Sequence, residues 1–255
     1  MATARPERVV GPFGPGDPDV RRPLRIAVAQ PACVPHDVHT NATVHARAVR
    51  LARTRVVVFP ELSLTGYEIE AAAVDPGDRA LEPIVRACRE NGSVALVGAP
   101  VSGRGDQVFI AMLAVDPTGV RVLYRKRWLG GDEGTRFTPG DEPTVFEVDG
   151  WRIGVGICKD TGVREHVERM AELRIDAYCA GLVHLPEELE EQERRAASIV
   201  RLCGAFVALA SFAGPTGGGY SQTAGSSAIW APSGKTLSRA GTRPGEIARA
   251  TLEIR

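Results

Sequence analysis

"IGVGICKDTG", Ile153 to Gly162, runs as apolar residues and glycines up to a cysteine and then turns at once to charge. Such a run reads as a strand buried on both faces. Asp160, Thr161 and Gly162 supply the turn that ends it, and Asp160 or Thr161 is placed to cap a following helix. Downstream, "VREHVERMAELR" is helical in its spacing and "IDAYCAGLV" is strand-like, so the stretch opens a strand–helix–strand unit. Cys158 sits at its first junction. There it reads equally as a small packed core residue or as a nucleophile whose thiolate is favoured by backbone N–H groups and a helix N-terminus.

The same alternation extends outward in both directions. "LRIAVAQP" (Leu24 to Pro31) and "VVVFP" (Val56 to Pro60) read as buried strands, the second halted by its proline. Between them "NATVHARAVRLARTR" spaces Val44, Ala48, Val49, Leu51 and Ala52 at helical intervals. "RALEPIVRACREN" is a second helix before the strand "SVALVGAP". The middle changes character: Asp116-Pro117-Thr118-Gly119 and Asp149-Gly150 are hairpin signals, each between apolar runs. "PEELEEQERRAASIVRLCG" reads as one long helix with Pro186 near its start, and "AFVALASF", "AGSSAIWAP" and "GEIARATLEI" as closing strands. One α/β domain over 24–255, with parallel units and antiparallel hairpins, is the economical reading. Residues 1–23 are rich in Pro, Gly and charge and read as a flexible leader.

Composition narrows the function classes. Lys plus Arg equals Asp plus Glu, 31 of each, which argues against a nucleic-acid or anionic-membrane surface as the main partner. No apolar run approaches a membrane span, and the N-terminus lacks the apolar core of a signal peptide. The five cysteines (Cys33, Cys88, Cys158, Cys179, Cys203) are odd in number, widely spaced and without a C-x-x-C pair. They suggest neither a disulfide framework nor a zinc site, so a reducing cytoplasm is expected. No phosphate-binding G-x-x-x-x-G-K-[ST] and no G-x-S-x-G elbow is present. "GPTGGGYSQ" lacks dinucleotide-loop spacing and reads as a flexible loop. The five histidines form no H-E-x-x-H pair, so no metal site is expected.

A cysteine nucleophile needs a base, and no histidine has an evident claim. Strand ends offer Glu61, after "VVVFP", and Lys126, in "VLYRKRWL". Taken singly, each reads as an exposed loop or edge residue.

Taken together they form a pattern. "FPELSLTGY", "YRKRWLGGDEGTRFTPG" and "GVGICKD" follow one another in an order and spacing that resemble the nitrilase superfamily of carbon–nitrogen hydrolases, from about Leu24 to the C-terminus. The resemblance implies a four-layer α-β-β-α sandwich with two mixed β-sheets. It also implies that Glu61 is the general base, Lys126 the positive stabiliser, Cys158 the nucleophile and Glu133 a further glutamate beside the lysine. The backbone N–H of Lys159 would join Lys126 in holding the oxyanion, at about 3 kcal/mol per donor in a dry site. No cofactor and no metal are implied. The partner is a small amide substrate, and such proteins resemble one another in pairing through helices, here "VREHVERMAELR" and Glu187 to Cys203, into dimers or larger homo-oligomers.

The pattern also departs from the family. Lys159 follows the cysteine where an aromatic or small polar residue is usual, Arg164 replaces a proline before Glu165, and Trp128 stands where a histidine often does. Cysteine followed by x-Asp resembles the amidase and carbamoylase branches more than nitrile hydrolases. Lys159 and Arg164 motivate a carboxylate-bearing amide or N-carbamoyl substrate. The alternatives are a non-catalytic binding protein built on the same pocket, and acyl transfer from the same thioester to a nucleophile other than water.

Overall fold

The computed structural model describes residues 8–13, 22–140 and 142–253. In chain order, β1 (Arg8–Phe13) precedes β2 (Leu24–Ala29), α1 (Val38–Ala52) and β3 (Val56–Val58). Next, α2 (Glu82–Asn91) leads into β4 (Val94–Ser102), β5 (Val108–Asp116) and β6 (Gly119–Arg125). β7 (Thr144–Val148), β8 (Trp151–Ile157), α3 (Arg164–Glu172) and β9 (Ala177–Leu182) follow. The last described elements are α4 (Leu189–Cys203), β10 (Phe206–Ser211), β11 (Ala228–Trp230), β12 (Thr236–Arg239) and β13 (Ile247–Leu252).

The strands form two mixed sheets, ordered β13-β2-β3-β4-β5-β6 and β1-β7-β8-β9-β10-β11-β12. In the first, β2, β3 and β4 run parallel while β13, β5 and β6 pair antiparallel. In the second, β8, β9 and β10 run parallel, and the hairpin partner β7 and the strands β11 and β12 are antiparallel. Asp149 and Gly150 have φ of 50° and 78°, the left-handed pair that a tight β7–β8 hairpin requires.

Period-two alternation divides each buried strand between two cores. β2 sends Ile26 and Val28 into the space between the sheets, and Ala27 and Ala29 toward α1 and α2. On the second sheet, Tyr178, Ala180 and Leu182 of β9 pack under α3 and α4 with Val167, Met170, Ala196 and Ile199. The outcome is helices, sheet, sheet and helices: the four-layer α-β-β-α sandwich, in which every central strand is apolar on both faces.

Three expectations change. Arg8–Phe13, placed in the flexible leader, pairs as a parallel strand with β7 at the edge of the sheet. The rest of the expected leader, 1–7 and 14–21, lies outside the described residues. The single long helix after residue 185 divides, because Pro186–Glu188 forms a 3-10 turn before α4 begins. β12, which sequence periodicity did not separate from its neighbours, is an exposed edge strand of four residues with little burial to mark it.

Candidate active site

Three chain segments converge where the two sheets face each other. Glu61 follows β3 in the turn Phe59–Leu62, whose chain reversal puts Leu62 at φ 51°. That turn is wedged between backbones of both sheets. A Cβ on Gly98 of β4 would lie 2.3 Å from the Leu62 nitrogen, and one on Gly181 of β9 would lie 2.7 Å from the Glu61 nitrogen. Only glycine permits so close an approach at these two positions.

Lys126 is the first residue beyond β6, where its N–H still donates to the Ile110 carbonyl at 2.8 Å. Its side chain is 1% exposed, and Nζ donates to Glu61 Oε1 and to Glu133 Oε1, each at 2.7 Å. Glu133 belongs to a 3-10 turn, Gly131–Thr135. Its Oε1 also accepts the Tyr67 hydroxyl at 2.7 Å, and its Oε2 accepts the Gly130 N–H at 2.7 Å. One ammonium thus bridges two buried carboxylates, and two neutral donors satisfy the rest of the Glu133 charge. Glu61 Oε2 is different: it is buried and has no hydrogen-bond partner among the described residues.

Burial pushes the Glu61 carboxyl well above the ordinary range, with Lys126 only partly offsetting it and the Cys158 and Glu133 charges adding to the rise. For Lys126 burial acts downward, but Glu61, Cys158 and Glu133 outweigh it and hold the amine as ammonium, above its usual value. Cys158 is therefore within electrostatic reach of both groups.

Cys158 directly follows β8 and begins the 3-10 turn Cys158–Gly162, with φ at +40°. Its sulfur lies 3.6 Å from the Val183 carbonyl, and its own carbonyl accepts Thr161 Oγ1 at 2.6 Å and Arg195 Nη1 at 3.3 Å. The first N–H groups of such a turn have no acceptor within the turn itself. The expected cap is corrected: α3 is preceded by Val163 with no side-chain cap, and Asp160 reaches back to the Ile157 N–H instead.

The structure brings Glu61, Lys126, Glu133 and Cys158 together. The Lys159 side chain is exposed and folds onto the Leu129 carbonyl at 2.6 Å. Arg164 does not join the site: its side chain is 82% exposed and pairs with Glu168 on α3.

Sequence reasoning missed Tyr67, which orients Glu133, although it lies inside the quoted "FPELSLTGY". It also missed the glycine-rich loop as a neighbour of the site. Tyr220 stacks edge-on against Tyr67 at 5.2 Å, and the Tyr67 N–H donates to the Thr216 carbonyl at 2.9 Å. The loop expected to be flexible is anchored by that bond and by the Thr216–Tyr220 and Tyr220–Gly217 backbone bonds. Contacts so distant in sequence leave no local signal. Among the described residues no group of three or more His, Cys, Asp or Glu side chains is placed to hold a metal ion, and no helix is long and apolar enough to cross a membrane.

Comparison with known proteins finds the same fold in solved structures. The mutant amidase from Nesterenkonia sp. AN1 in complex with butyramide superposes with a TM-score of 0.78 at 24% identity, over 90% of each chain. A hydrolase from the pqqF 5' region of Pseudomonas protegens is 31% identical over 160 residues, 58% of this chain and 55% of its own. An (R)-stereoselective amidase from a Pseudomonas species is 28% identical over 137 residues, 52% of this chain and 50% of its own. The chain thus spans about half the length of these curated relatives. Residues 25–254 match the carbon-nitrogen hydrolase family, and the chain belongs to it.

Proposed function

We propose that the protein hydrolyses a non-peptide C–N bond, in an amide or N-carbamoyl group of a small molecule, through a thioester on Cys158. The observation that carries this reading is the Glu61–Lys126–Glu133 bridge, which leaves Glu61 Oε2 buried and unpartnered within electrostatic reach of the thiol. Glu61 takes the Cys158 proton as the sulfur attacks the carbonyl carbon. The new oxyanion is held by the Lys126 ammonium and the Lys159 N–H, donors aimed where charge develops. Collapse breaks the C–N bond, and Glu61 returns its proton to the departing ammonia or amine. Water then gives a proton to Glu61 and attacks the thioester; the acid leaves and the thiol is restored. A carboxyl pushed upward by burial is suited to this exchange, since proton transfer is most efficient near the working pH.

The relatives favour carboxamides: one is named an amidase, and another is held with butyramide. A carboxylate on the substrate has no support from Arg164, which is occupied by Glu168 outside the site. All five cysteines are free, in keeping with a reducing cytoplasm. Homodimerisation through α3 and α4 belongs to the same reading, and the 38% exposed Leu202 on α4 is consistent with a covered face.

The test is mass spectrometry of the protein incubated with a panel of small amides. An acyl adduct on Cys158 is expected, lost in Cys158→Ala. Hydrolysis that survives Cys158→Ala would refute the mechanism. Products captured by added amines would redirect it to acyl transfer.

A further inference from the structure

We propose that Asp160 is a positioning residue, whose carboxylate clamps the segment bearing Lys126 to the turn bearing Cys158 and so fixes the nucleophile against the ammonium. The inference rests on the thioester reading above. Asp160 is fully buried. Its Oδ2 accepts the Ile157 N–H and the Tyr124 hydroxyl, each at 2.9 Å, and its Oδ1 accepts the Trp128 N–H at 3.1 Å. The Tyr124 oxygen in turn accepts the Arg127 N–H at 3.3 Å. Ile157 immediately precedes Cys158, and Arg127 and Trp128 immediately follow Lys126. The gathered groups come from both sheets, since β6 lies in one and β8 in the other.

The residue type matters. An ionised carboxylate offers acceptor sites on both oxygens, whereas an amide must turn an NH2 toward at least one of these donors. Burial pushes the Asp160 carboxyl up to about 6, which the Lys126 charge and the three donors only partly offset. A charge held against burial in this way is costly as mere filling for the turn, which a neutral residue would serve. The Trp128 contact runs through its backbone, so the clamp is indifferent to the side chain there.

Asp160→Asn and Tyr124→Phe separate positioning from stability. In each, kcat and KM for a confirmed amide are measured well below the variant's melting temperature, beside the rate of Cys158 alkylation by iodoacetamide. For Asp160→Asn, kcat is expected to fall about 100-fold with KM within about twofold, the scale of a small misplacement of reacting groups. For Tyr124→Phe, which removes one donor and keeps both backbone N–H groups, the fall is about tenfold. Alkylation slows in the same order. If Asp160→Asn fails to fold, Tyr124→Phe decides alone by the same criteria. Folded variants with kcat and alkylation within about threefold of wild type, or losses that vanish when the unfolded fraction is removed by cooling, would overturn the clamp. If the wild type forms no acyl adduct with any amide, the hydrolase reading fails separately, and the alkylation ratios still test Asp160.

Discussion

Cys158 adopts φ +40°, a region that non-glycine residues enter at a cost of about 1–2 kcal/mol. The strain turns the residue out of the line of β8 at the rim of the sheet, and it is tolerated because the surrounding bonds over-determine the turn. Ordinarily glycine destabilises a chain relative to alanine, through the freedom it gives the unfolded state. At this position the order should reverse. Cys158→Gly is expected to be more stable than Cys158→Ala by about 1 kcal/mol in urea unfolding, while both are inactive. Equal stability, or a more stable alanine variant, would remove strain from the account.

At the scale of elements, Glu61 is positioned by what is missing from its neighbours. Gly181 of β9 lies so close to the Glu61 turn that a methyl group there would meet the Phe59 oxygen at 2.6 Å and the Pro60 carbonyl carbon at 2.8 Å. All of these are backbone atoms and cannot swing aside. Gly181→Ala should therefore push the turn away from β9, lowering kcat about 100-fold and stability by about 1–3 kcal/mol. An active Gly181→Ala enzyme would mean that the Glu61 turn has room that the packing denies it.

Across the whole molecule, buried histidines set a pH response unrelated to catalysis. His45 is fully buried between the Asn41 carbonyl and Ser63 Oγ, and burial lowers it to about 4, with the Asn41 bond a partial offset. Its folded value lies below the unfolded 6.5, so the unfolded chain gains a proton first as the pH drops. The stability it contributes is present above 6.5 and is lost as the pH falls toward 4. Asp160 works in the opposite direction, because its folded value of about 6 lies above the unfolded 3.8 and the native state is protonated first. A difference measurement isolates the histidine. Between neutral pH and about pH 4, His45→Asn should lose less stability than wild type by about 3 kcal/mol. Parallel pH curves for the two proteins would contradict the assignment.

The same scale shows what the sequence could disclose. Glu61, Lys126 and Cys158 were legible because each ends a strand whose apolar run is visible by itself, and because their spacing matched a known order. Alternation and hairpin turns disclosed one α/β domain with parallel units and antiparallel hairpins, and the four-layer sandwich was legible only through the resemblance. Asp160 was read as a helix cap because its three donors come from residues 124, 128 and 157, and only the first turn of that network is local. Tyr220 and Thr216 meet Tyr67 from about 150 residues away, with no periodicity to announce it. Edge strand β12 buries too little to leave an apolar pattern.

The order in which the two sheets are threaded has a consequence for biosynthesis. After β1, the segment from β2 to β6 brings Glu61 and Lys126; the segment from β7 to β12 brings Cys158; and β13 then returns to pair with β2. A nascent chain therefore holds Glu61 and Lys126 without Cys158 for more than thirty residues of synthesis, and the sheet of β2 to β6 still lacks an edge when the cysteine arrives. Cys158, Glu61 and Lys126 meet only once both layers have closed on each other. Under the mechanism proposed above, chemistry is thereby withheld until folding is essentially finished, so a half-made or half-unfolded protein would carry no acylating centre.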